Sequence, residues 1–345
     1  MSPLLVAEGL GRDFVARGWF TRPRPVRAVA DVSLSVARGE AIGLVGESGS
    51  GKSTLGRLLL GMLAPTSGRV LVDGQDLARL LPSELRRLRR RMQLVFQDPY
   101  SSLDPRRWVG AQIGDGIAIH RIVPASEREA RVAALLAMVG LEAAHGARYP
   151  HEFSGGQRQR IGIARALATG PDLLVADEPV SALDVSVQAQ VLRLLADLRA
   201  RLGLGLLFIS HDLAVVRSLC DRVMVLYLGR VMEEGPAAEV LRAPHHPYTR
   251  ALLSAVPSLD PQHRRQRILL SGEPPSPADP PSGCVFRTRC PWALPACATA
   301  VPPLRPVGDG HRSACIRNDI GAAGPVVARH LQDNTMRQQE QERAE

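Results

Sequence analysis

The stretch Gly46-Glu-Ser-Gly-Ser-Gly-Lys52-Ser53 decides how the rest of the chain is interpreted. It fits the pattern Gly-x-x-x-x-Gly-Lys-Ser/Thr, in which the glycines let backbone N–H groups turn toward phosphate oxygens. A strand-like apolar run (residues 41–45) precedes it and a helix-like run (residues 54–62) follows it, which is the context that the motif requires. The sequence therefore predicts a phosphate-binding loop in which Lys52 reaches the β- and γ-phosphates and the Ser53 hydroxyl binds Mg²⁺.

Two carboxylates follow a second apolar run. Asp177 and Glu178 come directly after Asp-Leu-Leu-Val-Ala at residues 172–176. A carboxylate at a strand end can hold Mg²⁺ through water, and the next residue points differently and can polarise an attacking water. Two acids after a strand are in general more often the start of a solvated loop. Beside a phosphate loop, the functional interpretation is favoured, in which Asp177 holds Mg²⁺ and Glu178 polarises a water.

Composition sets the class of protein. The chain has 345 residues, 45% hydrophobic and 22% charged, so it can form a sizeable core, and disordered or fibrous classes are unexpected. No apolar run approaches the ~18 residues of a membrane helix, and residues 1–10 do not resemble a signal peptide, so we expect a cytosolic chain that can still dock on a membrane protein. The net charge of +9 is carried almost wholly by arginine, with Lys52 as the single lysine. We attribute this skew to codon composition rather than to nucleic-acid binding.

The chain divides by composition into three parts. Residues 1–255 alternate strand-like and helix-like runs, which predicts an α/β domain with a largely parallel sheet and an inserted helical part at about residues 98–165. Residues 256–320 are rich in proline and cysteine and should form a small extension with little regular structure. Residues 321–345 are polar and are expected to be disordered.

Further motifs, in a fixed order, resemble those of ATP-binding cassette (ABC) ATPases over about residues 4–250. Ser154-Gly-Gly-Gln157 resembles the signature sequence, and Gln97, in Val-Phe-Gln-Asp-Pro, the Q-loop. The D-loop is matched by Ser181-Ala-Leu-Asp184 and the switch histidine by His211, and Phe14 lies where the family places an aromatic residue under adenine. Each motif alone has an ordinary explanation, such as a helix cap for Ser154. Their joint order makes the resemblance specific.

The resemblance implies a P-loop ABC ATPase fold, with a RecA-like core sheet and an inserted helical subdomain. It implies that Glu178, His211 and Gln97 are catalytic and that Ser53, Gln97 and Asp177 hold Mg²⁺. The residues it implies for ATP binding are Phe14, Gly46, Glu47, Ser48, Gly49, Ser50, Gly51, Lys52, Ser53, Thr54, Ser154, Gly155, Gly156, Gln157 and Asp184. Two cassettes would pair head to tail, with ATP between the phosphate loop of one and the signature of the other.

A narrower resemblance points to the ATPases of oligopeptide and dipeptide importers. It is carried by the extended Q-loop at residues 96–105, by His-Pro-Tyr-Thr-Arg-Ala-Leu-Leu-Ser-Ala-Val-Pro at residues 246–257, and by Gly-Cys-Val-Phe-Arg-Thr-Arg-Cys-Pro at residues 283–291. It implies two membrane permeases, a second ATPase subunit expected to be a paralogue, and an external solute-binding protein as partners. It also implies a peripheral location on the cytoplasmic side of the inner membrane. A permease helix would dock at residues 97–106, where Tyr100 and Leu103 either face the partner or pack in the core.

Alternatives remain at this point. The solute could be nickel or glutathione instead of a peptide. A soluble ABC ATPase acting on ribosomes or DNA is supported only by the basic charge, and such proteins generally have two cassettes or a coiled-coil insertion. A catalytically silent subunit is disfavoured because the set of site residues is complete. We therefore expect no nucleic-acid partner.

Four of the five cysteines lie near the C-terminus: Cys284, Cys290, Cys297 and Cys315. An odd total without a signal peptide argues against a disulfide framework. Four thiolates can hold zinc or an iron–sulfur cluster, and zinc sites more often use tighter pairs. The family resemblance also points to a 4Fe–4S cluster; zinc and four free thiols are the alternatives. The fifth cysteine, Cys220, is expected to be a buried core thiol.

Overall fold

The computed structural model describes residues 3–15, 25–98, 102–256 and 267–317. The larger of its two sheets has eight strands in the order β11-β12-β10-β9-β3-β8-β7-β6. The strands of this sheet are β3 (Ala41–Val45), β6 (Met92–Val95), β7 (Leu173–Asp177), β8 (Gly205–Ser210), β9 (Arg222–Tyr227), β10 (Arg230–Pro236), β11 (Arg305–Gly308) and β12 (His311–Ser313). The strands from β9 to β6 are parallel, and β10, β12 and β11 add to the β9 edge in antiparallel fashion.

The parallel strands are the apolar runs of the sequence. Every residue of β3, β7 and β8 is buried, as expected for strands that are covered on both faces. The strands predicted at residues 41–45 and within residues 172–176 are therefore confirmed. Their register places Val45 opposite Ser210 and Asp177 opposite Ile209, so the carboxyl ends of β3, β8 and β7 lie level at one edge.

The smaller sheet is antiparallel, with the order β2-β1-β4-β5. Its strands are β1 (Leu5–Val15), β2 (Pro25–Val36), β4 (Ser67–Val72) and β5 (Gln75–Asp76). One hydrophobic core joins this sheet to the larger one through residues such as Leu5, Ile42 and Leu55. This sheet therefore backs the loop that follows β3.

Helices fill the connections between the strands. They are α1 (Lys52–Leu59), α2 (Pro82–Arg90), α3 (Val109–Ile119), α4 (Arg128–Met138), α5 (Gly155–Leu167), α6 (Val185–Leu202), α7 (Leu213–Leu219), α8 (Ala237–Arg242) and α9 (Pro247–Ser254). Helices α3, α4 and α5 pack on one another between β6 and β7, where the sequence predicts the inserted helical part. Within the described ranges, no helix is both long and apolar enough to span a membrane.

Residues 267–304 contain one short 3₁₀ turn, Pro295–Ala298, and are otherwise irregular, in keeping with their proline content. The segment is nevertheless anchored to the cassette. Strand β12 pairs with β10, so it continues the larger sheet, an attachment that the sequence analysis did not predict. Cys284, Phe286 and Cys297 belong to the same hydrophobic core as the helical part.

Candidate functional site

The phosphate loop connects β3 to α1 and depends on glycine at two close approaches. Gly51 has a φ of 99°, and a Cβ atom there would lie 2.1 Å from the carbonyl oxygen of Ala28. Gly46 has a φ of 152°, and a Cβ there would lie 2.2 Å from the carbonyl oxygen of Leu226. Neither neighbour can move easily because both are backbone atoms of sheet residues. These glycines are therefore required by packing as well as by the loop's curvature.

Lys52 is buried, and its ammonium group is folded back onto its own loop. Its Nζ donates to the carbonyl oxygens of Gly46 (2.8 Å) and Glu47 (2.9 Å) and lies 3.4 Å from the Ser50 hydroxyl. Burial lowers the pKa of Lys52, and the nearby Glu178 and Asp177 carboxylates oppose that shift. Phosphate oxygens would replace carbonyl oxygens as its acceptors.

Ser53 and Asp177 are joined by a hydrogen bond. The Ser53 hydroxyl donates to Oδ1 of Asp177 at 3.0 Å, although 124 residues separate them. Burial raises the pKa of Asp177, and the Glu178 charge adds to this, while the hydrogen bond from Ser53 lowers it. A cation bound between these two oxygens would favour the ionised carboxylate. The pair therefore has the oxygen donors that Mg²⁺ prefers.

Glu178 lies next to two polar side chains from other strand ends. Gln97 donates from Nε2 to Oε2 of Glu178 at 2.9 Å, and His211 Nδ1 lies 3.7 Å from the same oxygen. The backbone of Glu178 has a φ of 45°, a left-handed conformation that is uncommon for a residue with a side chain. Strain of this kind persists where the surrounding structure imposes it, often at active sites.

The sheet explains why these groups meet. Gln97 follows β6, Asp177 ends β7, His211 follows β8 and the phosphate loop follows β3, and these four strands are adjacent and parallel. The structure thus brings six predicted site residues to one edge of the sheet: Lys52, Ser53, Gln97, Asp177, Glu178 and His211. Together they could bind a polyphosphate and a cation and activate a water.

The signature and D-loop residues lie at helix starts. Ser154 caps α5 in a capping box with Gln157, in which each residue's side chain accepts from the other's backbone N–H. A Cβ on Gly156 would lie 2.3 Å from Val187 of α6, so these two helices pack closely. Asp184 is exposed at the start of α6, and its side chain makes no capping hydrogen bond.

Phe14 lies near the end of β1, opposite Val26 of β2, and is 38% exposed. The Arg12 guanidinium lies 4.8 Å from its ring centroid. The ring is therefore accessible at the tip of the smaller sheet, with Arg12 against one face.

Leu103 is only 3% exposed and belongs to the larger hydrophobic core. Its packing favours the core alternative over direct contact with a permease. Tyr100, the other residue named for docking, lies outside the described residues.

The four C-terminal cysteines converge. Cys284, Cys290, Cys297 and Cys315 line a single narrow pocket. Burial raises the pKa of Cys290 to about 12, and the charges of the other three cysteines add to that shift. Even so, the described residues include no group of three or more His, Cys, Asp or Glu side chains spaced to hold a metal ion. The donors are thus gathered, but not in the spacing of a single-ion site. Cys220 is 8% exposed and separate from them, as predicted.

Three residues that the sequence analysis did not assign support the phosphate loop: Tyr227, Tyr248 and Arg289. The Tyr248 hydroxyl accepts from the backbone N–H of Glu47 at 2.8 Å. Arg289 donates from Nη1 to the Glu47 carboxylate at 2.7 Å and lies 3.4 Å from the Tyr227 hydroxyl. The sequence offers only a weak signal for these roles. Tyr248 and Arg289 lie in the quoted importer motifs, but the residue spacing of those motifs does not show that they contact the phosphate loop.

Comparisons with known families agree with this geometry. Residues 29–181 match a family model described as ABC transporter. Residues 232–297 match a second model, the C-terminal region of oligopeptide/dipeptide transporters. The second match includes α9 and three of the four C-terminal cysteines, Cys284, Cys290 and Cys297.

Similar proteins cover almost the whole chain. A Brucella ovis protein, provisionally named as a peptide import ATP-binding protein, is 57% identical over 319 residues, which are 92% of this chain and 99% of that protein. The dipeptide transport ATP-binding protein DppF of Escherichia coli is 49% identical over 92% of this chain and 95% of its own length. A solved ATP-binding cassette, dimeric in a post-hydrolysis state with ADP and Pi, has a TM-score of 0.61 at 29% identity, covering 68% of this chain and 98% of that one. The chain belongs to the ABC transporter family of ATP-binding proteins.

Proposed function

We propose that this chain is the ATP-hydrolysing subunit of a membrane importer for dipeptides or oligopeptides. ABC family membership makes it an ATPase. The names of its relatives and the C-terminal family model support peptide uptake. The observation that carries the proposal is the meeting of the Ser53–Asp177 and Gln97–Glu178 pairs beside Lys52.

The residues divide the chemistry among them. Lys52 and the loop N–H groups of residues 46–54 bind the phosphates, which the α1 N-terminus also favours. Ser53, Asp177 and Gln97 would hold Mg²⁺, which offsets phosphate charge when bound. Glu178 accepts a proton from the attacking water, and His211, beside the same carboxylate, contacts the terminal phosphate.

The signature residues act on a second subunit's nucleotide in this proposal. The start of α5, residues 154–157, would present backbone N–H groups to the γ-phosphate across a head-to-tail dimer. Asp184 would lie at the same interface, and Phe14 would stack on adenine. The dimeric state of the similar cassette supports this arrangement.

We propose the same division of the chain as the sequence suggests. Residues 1–255 form the ABC ATPase domain, with its helical subdomain at about 98–165, and residues 256–320 form the Cys-rich extension. The tail, residues 321–345, lies outside the described residues. The proposed partners are two permeases, a second ATPase subunit that is a paralogue, and an external solute-binding protein, with the chain on the cytoplasmic face of the membrane.

We further propose that Cys284, Cys290, Cys297 and Cys315 ligate a 4Fe–4S cluster, with Zn²⁺ as the alternative. Their convergence on one pocket supports a shared ligand. A four-iron cluster binds each thiolate to a different iron, so its ligands are spaced more widely than those of one ion. Against the proposal, the described residues include no group of three or more His, Cys, Asp or Glu side chains spaced to hold a metal ion.

The cluster proposal is tested on anaerobically purified protein. Brown protein containing iron and sulfide supports it, and Cys290→Ser should remove the colour while the matched Cys220→Ser keeps it. Colourless protein that contains stoichiometric zinc would show that the cysteines bind zinc and not an iron–sulfur cluster. Absence of both metals, with all four thiols alkylated in the folded state, would refute metal binding.

The transport function is tested in proteoliposomes that contain the two permeases, the partner ATPase and the solute-binding protein. ATP should drive uptake of a labelled dipeptide, and a complex with Glu178→Gln should not. Nickel and glutathione serve as rival solutes. ATP-driven uptake of either one without dipeptide uptake would contradict the peptide assignment.

A further inference from the structure

The cysteine-bearing segment reaches the phosphate loop through one arginine. Arg289 directly precedes Cys290, and its side chain is 9% exposed. Its Nη1 donates to Oε2 of Glu47 at 2.7 Å, across 242 residues of sequence. Because Glu47 is the second residue of the phosphate loop, this ion pair connects the extension directly to the nucleotide site.

Glu47 is held from a second side by an aromatic cluster of Tyr227, Tyr248 and Phe286. The ring centroids lie 4.7 to 5.3 Å apart, and each ring is at most 1% exposed. Tyr248 fixes the backbone N–H of Glu47, while Phe286 comes from the extension. The segment of residues 286–289 thus supplies both a packing residue and an ion-pair partner to the support of Glu47.

The extension also borders the loop at a separate point. Residues 273–277, Glu-Pro-Pro-Ser-Pro, line one pocket together with residues 47–50 and Tyr227. The phosphate loop therefore has two segments of the extension beside it, residues 273–277 and residues 286–289. The contact between the extension and the phosphate loop is therefore more than a chance contact of one side chain.

Charge gives the Arg289–Glu47 pair a consequence for ligand binding. Glu47 is half-buried, and it is part of the loop that is proposed to accept a polyphosphate. Burial opposes the charge of Arg289, but the bonds to Glu47 and Tyr227 outweigh it and raise the pKa of the arginine. Without Arg289, the Glu47 carboxylate would repel the incoming phosphates and be free to turn toward them.

We propose that Arg289 is a positioning residue for ATP binding, which neutralises Glu47 and holds its carboxylate away from the phosphates. The inference rests on the proposed ATP site and adds a residue of the extension to it. It follows that the placement of Arg289 by the extension contributes to the affinity of the phosphate loop. ATP binding and the integrity of the cysteine pocket are thereby linked.

The test is titration of the full chain with MgATP, with melting temperature measured in parallel. Arg289→Gln should weaken ATP binding by about five- to twentyfold, and the loss should shrink at high salt. Arg287→Gln is the matched control, because Arg287 is bonded to Ser282 and not to the loop; it should bind ATP as the wild type does.

The decisive variant is the double substitution Glu47→Gln with Arg289→Gln. If Arg289 acts by neutralising Glu47, removing both charges restores most of the affinity that Arg289→Gln loses. A merely structural arginine would leave the double variant as weak as Arg289→Gln. Should Arg289→Gln fail to fold, Arg289→Lys keeps the charge, and its binding should stay near that of wild type.

The two possible failures are distinguishable. Wild-type protein that does not bind MgATP contradicts the proposed function itself. Wild-type protein that binds, with Arg289→Gln binding equally well or with no rescue in the double variant, overturns only the role of Arg289.

Discussion

In the cassette, the residues proposed to bind the phosphates follow the ends of adjacent parallel strands, whereas residues 284–315 keep their place through the short strand β12, an aromatic cluster and one ion pair. The first region takes its geometry from a continuous backbone ladder. The second takes it from a few side-chain contacts between distant parts of the chain. Loss of a single contact should therefore leave the shape of the first region intact but impair its chemistry. In the second region, loss of a single contact should disturb the local structure but leave the chemistry at the phosphate loop nearly intact.

The largest difference between the two regions is expected when ATP turnover is compared between the variants Glu178→Gln and Cys290→Ser. The amide keeps the shape of Glu178 but is a poor base, so turnover should fall by roughly 10²- to 10⁴-fold while ATP still binds. Cys290→Ser should keep turnover at saturating ATP within a few-fold of wild type. Phosphate release and nucleotide titration on the assembled transporter measure both effects.

ATP should also trap the Glu178→Gln protein as a closed ATPase dimer, visible by size-exclusion chromatography. Hydrolysis at the wild-type rate by Glu178→Gln would remove this residue from the proposed chemistry. A collapse of turnover in Cys290→Ser at saturating ATP would show that the two regions are not separable.

A second prediction concerns the helical part. Leu103→Ala should lower the free energy of unfolding by about 2–5 kcal/mol, because the side chain fills the larger core. Ile119→Ala, at an exposed position on α3, should change it by at most about 0.5 kcal/mol. Urea unfolding compares them. Equal stability of Leu103→Ala and wild type, together with lost coupling to the permeases, would restore the docking interpretation.

The same difference between regular strands and irregular segments decides how much of each region could be predicted from the sequence. The strand–loop–helix context around Lys52 and the acids after β7 could be read from sequence, since regular elements place residues at strand ends. The hydrogen bond between Gln97 and Glu178 follows from the adjacency of β6 and β7, which the sequence analysis did not predict. Arg289 could not be assigned, because no period relates a residue in an irregular segment to a loop 242 positions away. The pairing of β12 with β10 was hidden for the same reason.

The smallest expected effect is at Asp184. Its side chain makes no capping bond, so Asp184→Ala should change the free energy of unfolding of the isolated chain by about 0.5 kcal/mol or less. If Asp184 acts at the dimer interface, hydrolysis by the assembled transporter should nevertheless fall. Calorimetry of the chain and phosphate release by the complex separate these effects. A destabilised monomer with normal hydrolysis would place Asp184 in the fold and not at the interface.

Residues 46–54 are proposed to bind ATP, and the single lysine allows a direct measurement of this binding. Burial lowers the pKa of Lys52, which favours the neutral amine that an amine reagent attacks, and the α-amino group serves as an internal reference. Mass spectrometry should show that saturating MgATP protects Lys52 and leaves labelling of the α-amino group unchanged. Equal labelling of Lys52 with and without MgATP would contradict the account.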